Sequence, residues 1–231
     1  MNVATEEIRR ASTIAGIALL VLALLSGFGY LAVIDRLVVE DSAAETAASI
    51  ADSQGLFRLA IASILVVAVL DIVVAWALFT VFEPANRRLS ALAATFRVAA
   101  AAVSAAGIAQ LLGVLRHLPD AEERSAQVLS AVNAHQDTWD AALFLFGFHL
   151  VLLGVLVWRA VYAPTILGIL LVIAGAGYIA DGFGVVLIPD YDMSVAAFTF
   201  VGEVVLIFWL LLRGRRLTPP RSAPNAAAEA S

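Results

Sequence analysis

Six mainly apolar stretches govern what this chain can become: 14–34, 59–82, 91–115, 139–158, 166–188 and 195–212. A run of about 20 apolar residues spans a hydrocarbon core roughly 30 Å thick, because a helix rises about 1.5 Å per residue. Lipid offers no partner to backbone N–H and C=O groups, so only helices and closed barrels cross it. No stretch alternates like a barrel strand, and each is bounded by charge, Pro or Gly. The expected fold class is all-α, a polytopic membrane bundle of six transmembrane helices over 14–212. It is preceded by a segment 1–13 and followed by a tail 213–231, in which Pro219, Pro220, Pro224 and small residues read as disordered.

Composition narrows the chemistry. At 62% hydrophobic and 14% charged residues, with a mean hydropathy of +0.95, the chain departs from soluble domains, which run near half apolar and a quarter charged. It has no Cys, which excludes disulfides, thiolate nucleophiles and Cys-ligated clusters. A net charge of −5 argues against nucleic acid as a partner. The first apolar stretch follows Arg9 and Arg10, is longer than a signal-peptide core, and has no small-residue cleavage site after it, so it reads as a retained helix.

Basic residues near helix ends resist translocation, and their placement sets the expected orientation. With both termini cytoplasmic, Arg9, Arg10, Arg87, Arg88, Arg159, Arg213, Arg215, Arg216 and Arg221 lie inside and only Arg36, Arg58, Arg116 and Arg124 outside, nine against four. The expected location is the plasma (inner) membrane, multi-pass. Two outer connectors read as partly helical. Ser42 with Glu45 forms a capping box ahead of a run to Asp52, and Pro119-Asp120 with Glu123 opens a helix that continues into the fourth span.

The third span is rich in Ala and is the expected most enclosed helix; Gly168 and Gly175, seven apart in the fifth, read as packing notches. Asp71 and Asp181 both fall in the second helix of their half, but the residues around them do not align, so no inverted repeat is read.

Against this apolar background stand Asp71, Arg97, Asp140, His149, Asp181 and Glu203, with Arg58 at the outer edge of the second span. A central Asp or Arg costs about 2.5 to 3.5 kcal/mol to insert, so such groups turn inward and pair. By depth, Asp71, Arg97, His149 and Glu203 form a candidate intramembrane cluster. Arg58, Asp140 and Asp181 lie in the outer half, where Arg58 is expected to meet one of the two acids. Acids outnumber guanidiniums, so one of Asp71, Asp181 and Glu203 is expected to hold a proton or to face a wet cavity.

Other chemistries find little support. His135 and His149 are fourteen apart on one helix face, a spacing used to carry two haems, but no partner helix has a matching pair. A rim zinc site from His117, His135 and Glu122 lacks any H-E-x-x-H pattern, and no G-x-S-x-G is present. No cofactor, metal or catalytic residue is expected.

Several short motifs together resemble one family. They are Gly55-Leu56-Phe57-Arg58-Leu59, the Asp71 helix ending in Glu83-Pro84-Ala85-Asn86-Arg87, Phe96-Arg97, Phe146-Gly147-Phe148-His149-Leu150, Ala163-Pro164, Gly175-Ala176-Gly177-Tyr178 with Asp181, and Gly202-Glu203. Over roughly residues 8 to 214 the chain resembles the bacterial membrane family catalogued as domain of unknown function 4386. The resemblance implies six membrane helices and a recurring polar set of Arg58, Asp71, Asn86, Arg97, His149, Asp181 and Glu203; it implies no activity.

The leading expectation is an integral membrane protein of unknown molecular function with a buried charged cluster. The alternatives are a proton- or cation-coupled transporter of a small polar or amphiphilic solute, a lipid-acting enzyme, and a membrane partner subunit. The expected partners are the lipid bilayer and a small solute or lipid.

Overall fold

In the computed structural model, which describes residues 3–39, 42–121, 123–191 and 193–216, the described residues are mostly helical and none is in a strand. Six helices are long and apolar enough to cross a membrane: Thr5–Leu37, Gln54–Phe82, Arg87–His117, Ser125–Arg159, Thr165–Leu187 and Ala196–Arg213. Each packs against its neighbours in sequence, and the sixth returns to the first, closing an up-and-down ring. The third and fourth spans are the most enclosed. The tail beyond residue 216 and Glu122 lie outside the described residues.

The helix ends follow local chemistry. Ser42 accepts from the Glu45 N–H (3.3 Å) and starts the connecting helix Ala43–Asp52, between the first and second spans. Asn86 accepts from the Leu89 N–H (3.0 Å) and starts the third span. Pro119 sits in a short 3-10 turn, Leu118–Asp120; the fourth span starts beyond it at Ser125 and runs unbroken for 35 residues. Pro164 precedes the fifth span and Pro189 follows it.

Two spans are irregular. The first passes into a π-helical stretch, Phe28–Ile34, whose wider turn carries the buried Tyr30. There Gly29 approaches the second span so closely that a Cβ would sit 2.7 Å from Ser63 Oγ. The sixth, Ala196–Arg213, winds more tightly at Phe200, which keeps right-handed helical backbone and bonds the Ala196 carbonyl at 3.0 Å.

Glycine sets the closest helix contacts. A Cβ on Gly147 would lie 2.8 Å from the Gly175 carbonyl, and one on Gly154 would lie 2.6 Å from that of Gly168. The fourth and fifth spans therefore meet backbone to backbone at two points, seven residues apart on each helix. The notches read at Gly168 and Gly175 are filled by glycines of the neighbouring span.

The interior is divided into two apolar clusters. One, including Ala15, Val74, Phe82, Ala93, Leu153, Leu171 and Leu210, draws on all six spans and lies toward the N-terminal end of the bundle. The other, including Val33, Ile50, Phe57, Ile64, Leu111 and Val128, draws on the first four spans and the helix Ala43–Asp52. Asp71, Arg97 and His149 fall between the two along their own spans.

Candidate functional site

Each of the second to sixth spans sends one polar or aromatic group into the middle of the ring. Arg97, on the Ala-rich third span, has a side chain only 2% exposed. Its guanidinium donates to Asp71 Oδ1 at 2.6 Å, joining the third span to the second. A second nitrogen lies 3.3 Å from His149 Nε2 on the fourth span. Guanidinium is a donor only, so Nε2 accepts and the ring proton sits on Nδ1, which donates to the Ala93 carbonyl at 2.9 Å. His149 is thereby fixed as a neutral tautomer. The guanidinium also lies over the Phe146 ring, 5.1 Å from its centre. Arg97 Nε is buried with no hydrogen-bond partner among the described residues.

Glu203 stands apart from this chain of bonds. Its Oε1 accepts from the Tyr178 hydroxyl at 2.9 Å, and it makes no ion pair among the described residues. Gly202, beside it, lets the sixth span touch the fifth, since a Cβ there would lie 2.6 Å from the Leu170 carbonyl. The Tyr178 ring meets Phe146 edge-on at 5.7 Å, so one aromatic pair separates the Glu203 carboxyl from the Arg97 group. The tighter turn at Phe200 lies three residues before Glu203, whose N–H bonds the Phe200 carbonyl at 2.9 Å. The gap beside His149, bounded by Ala75, Ser90, Ala93 and Leu153, is too narrow for a water molecule.

A second histidine follows the same plan. His135 Nδ1 lies 3.0 Å from the Gly107 carbonyl, and Nε2 lies 3.1 Å from the Tyr30 hydroxyl. Tyr30 stacks on the imidazole and packs on Trp139, with ring centres 4.3 Å apart for the latter pair. His135 and His149 are fourteen residues apart, as are their acceptors Gly107 and Ala93, so the antiparallel third and fourth spans carry two matching rungs. The sequence shows the histidine spacing; the matching small residues are hidden in a long Ala-rich run.

His135 is enclosed between spans, His117 lies 3.4 Å from Arg124, and Glu122 lies outside the described residues.

The outer-half residues do not gather as expected. Arg58 is exposed on the second span and meets neither Asp181 nor Asp140 among the described residues; its helix faces it outward. Asp140 accepts from Gln136 one turn earlier at 3.3 Å. Asp181 takes the Tyr191 hydroxyl at 2.6 Å and the N–H groups of Val195 and Ala196 at 2.8 Å each, so it caps the start of the sixth span. Outside the membrane-spanning segments, the hydrogen bond to Asp181 raises the Tyr191 phenol above its ordinary pKa. Burial does the same for Tyr162, whose hydroxyl donates to the Val81 carbonyl at 2.7 Å.

Comparison with known proteins gives the following. Residues 14–214 match the family described as Domain of unknown function (DUF4386). An uncharacterised protein of the archaeon Archaeoglobus fulgidus is 31% identical over 164 residues, covering 71% of this chain and 89% of that protein. No solved structure matches the chain.

Proposed function

The chain belongs to the DUF4386 family, and from that premise and its interior geometry we propose that it is a proton- or cation-coupled carrier of a small polar or amphiphilic solute. In this reading it resides in the plasma membrane with both termini in the cytoplasm, and Glu203 is the exchanging group. The observation that carries the reading is that the one central guanidinium serves a single acid and leaves the other without it. Asp71 takes Arg97 at 2.6 Å, which leaves Glu203 with a phenol. At that depth a carboxyl without a counter-ion holds a proton or a small cation. Arg9, Arg10, Arg87, Arg88 and Arg159 at one end of the bundle support the orientation.

A second reading is a bundle whose ionic interior only fixes its packing. It is favoured by the lack of room for water beside His149. One assay separates the two. Proteoliposomes loaded with a pH-reporting dye are challenged with amino acids, amines and polyols under an imposed proton gradient. The carrier reading expects solute-dependent proton entry that Glu203→Gln abolishes without lowering the unfolding midpoint. Entry that survives the substitution removes Glu203 as the exchanging group, and no entry with any solute returns the protein to the structural reading.

A further inference from the structure

Arg97 has two acids near it and is bonded to one. Glu203 lies within electrostatic reach of both Arg97 and Asp71, and the Phe146–Tyr178 pair of rings separates it from the guanidinium. An arginine side chain is long and flexible, so reach alone does not decide which acid it serves. Donor satisfaction does not decide it either. Nη2 donates to Asp71 at 2.6 Å and Nη1 to His149 at 3.3 Å, yet Nε is buried with no partner among the described residues. A guanidinium free to turn would offer Nε an acceptor, since a buried donor left unpaired is destabilising.

Three groups define the seat that Arg97 occupies: the Asp71 carboxylate, the Phe146 ring and His149. Of the three, only His149 is itself anchored by a further hydrogen bond among the described residues, from Nδ1 to the Ala93 carbonyl at 2.9 Å. Ala93 precedes Arg97 by four residues, about one turn, so the buried imidazole lies along the third span between the two. Its bond to a carbonyl keeps the ring proton on Nδ1 and turns the Nε2 lone pair to the guanidinium. A neutral acceptor fixes one nitrogen of Arg97 without competing for its charge, which stays with Asp71.

We propose that His149 is a positioning residue, which turns the Arg97 guanidinium toward Asp71 and withholds it from Glu203. The inference rests on the carrier reading, in which Glu203 is the exchanging group, and adds the residue that keeps this group without a counter-ion. With the acceptor at position 149 removed, the guanidinium turns to Glu203 and holds it as an anion.

Asn and Gln divide the two bonds of His149. Asn carries its amide where Nδ1 stands, so it keeps the bond to Ala93 and falls short of Arg97; Gln carries its amide where Nε2 stands and still accepts from Arg97. The test is infrared titration of the full-length protein in liposomes, following the protonated-carboxyl band that Glu203→Gln removes. In His149→Asn this band is expected to vanish at a pH about one unit lower than in the wild type, because a guanidinium beside a carboxyl favours its ionised form. His149→Gln is expected to titrate as the wild type does. Should the Asn chain not fold, His149→Phe, which lacks both bonds, is expected to show the same downward shift. An unchanged midpoint in the folded variant, or an equal shift in His149→Gln, makes His149 a packing residue; the inference then falls and the carrier reading stands. If the wild type has no band that Glu203→Gln removes at any pH, Glu203 exchanges no proton, and the reading falls together with the inference.

Discussion

Removing the carboxylate of Asp71 leaves the Arg97 guanidinium facing His149 and a phenyl ring at a depth where water cannot replace it. Asp71→Asn is therefore expected to destabilise the detergent-solubilised protein by about 3 kcal/mol, read from a denaturant midpoint. Replacing both partners, Asp71→Leu with Arg97→Met, should recover most of that loss, because no buried charge is then left unpaired. Tyr162 gives a pH dependence. Its folded pKa is raised above the ordinary value of 10.0, so its contribution is complete below pH 10 and is lost as pH climbs toward the folded value. Tyr162→Phe should cost about 1 kcal/mol at neutral pH through the lost bond to Val81. The gap between wild type and variant should narrow in thermal melts above pH 10. The charged residues of the interior were legible in the sequence because charge is rare there. Their partners were not: Tyr178 and Tyr30 are unremarkable in apolar helices, and counting residues gives depth but not rotation, which is why Arg58 was matched with acids it does not face.

The fourth and fifth spans depend on glycine where their backbones meet. Gly168→Leu would drive a side chain into the Gly154 carbonyl, already 2.7 Å from the position of a Cβ, and should cost about 3 kcal/mol or abolish folding; Gly27→Ala, in open space, should have little effect. Expression level and the denaturant midpoint in detergent distinguish these outcomes. Asp181 acts on the start of the sixth span through two backbone N–H groups. Asp181→Ala should cost about 1 to 2 kcal/mol and raise hydrogen exchange at Val195 and Ala196, whereas Asp181→Asn, which keeps an acceptor, should be milder. Long apolar runs made the spans readable, and the Ser42 cap made the connecting helix readable. The π-helical stretch and the tighter turn at Phe200 left little trace, since neither contains Pro.

At the scale of the molecule the ring order follows from short connections, which keep successive spans adjacent and antiparallel. If the Arg-rich end is cytoplasmic, a cysteine placed at Tyr162 should resist a membrane-impermeant maleimide in intact cells and one at Asp190 should react; the reverse pattern would invert the orientation. The spans are also unequal. The first four have 29 to 35 residues, whereas the fifth has 23 and the sixth 18. At about 1.5 Å per residue, the longer ones outreach the sixth by roughly 15 to 25 Å. Much of that excess is polar, as over 125–138, and stands clear of the hydrocarbon, so the apolar runs themselves differ less, from 18 residues in the sixth to 25 in the third. The sixth, apolar over about 27 Å, is still the shortest, and the bilayer must thin beside it or the protein must lean. Thicker bilayers should therefore strain the flank that carries Glu203 before they affect the rest.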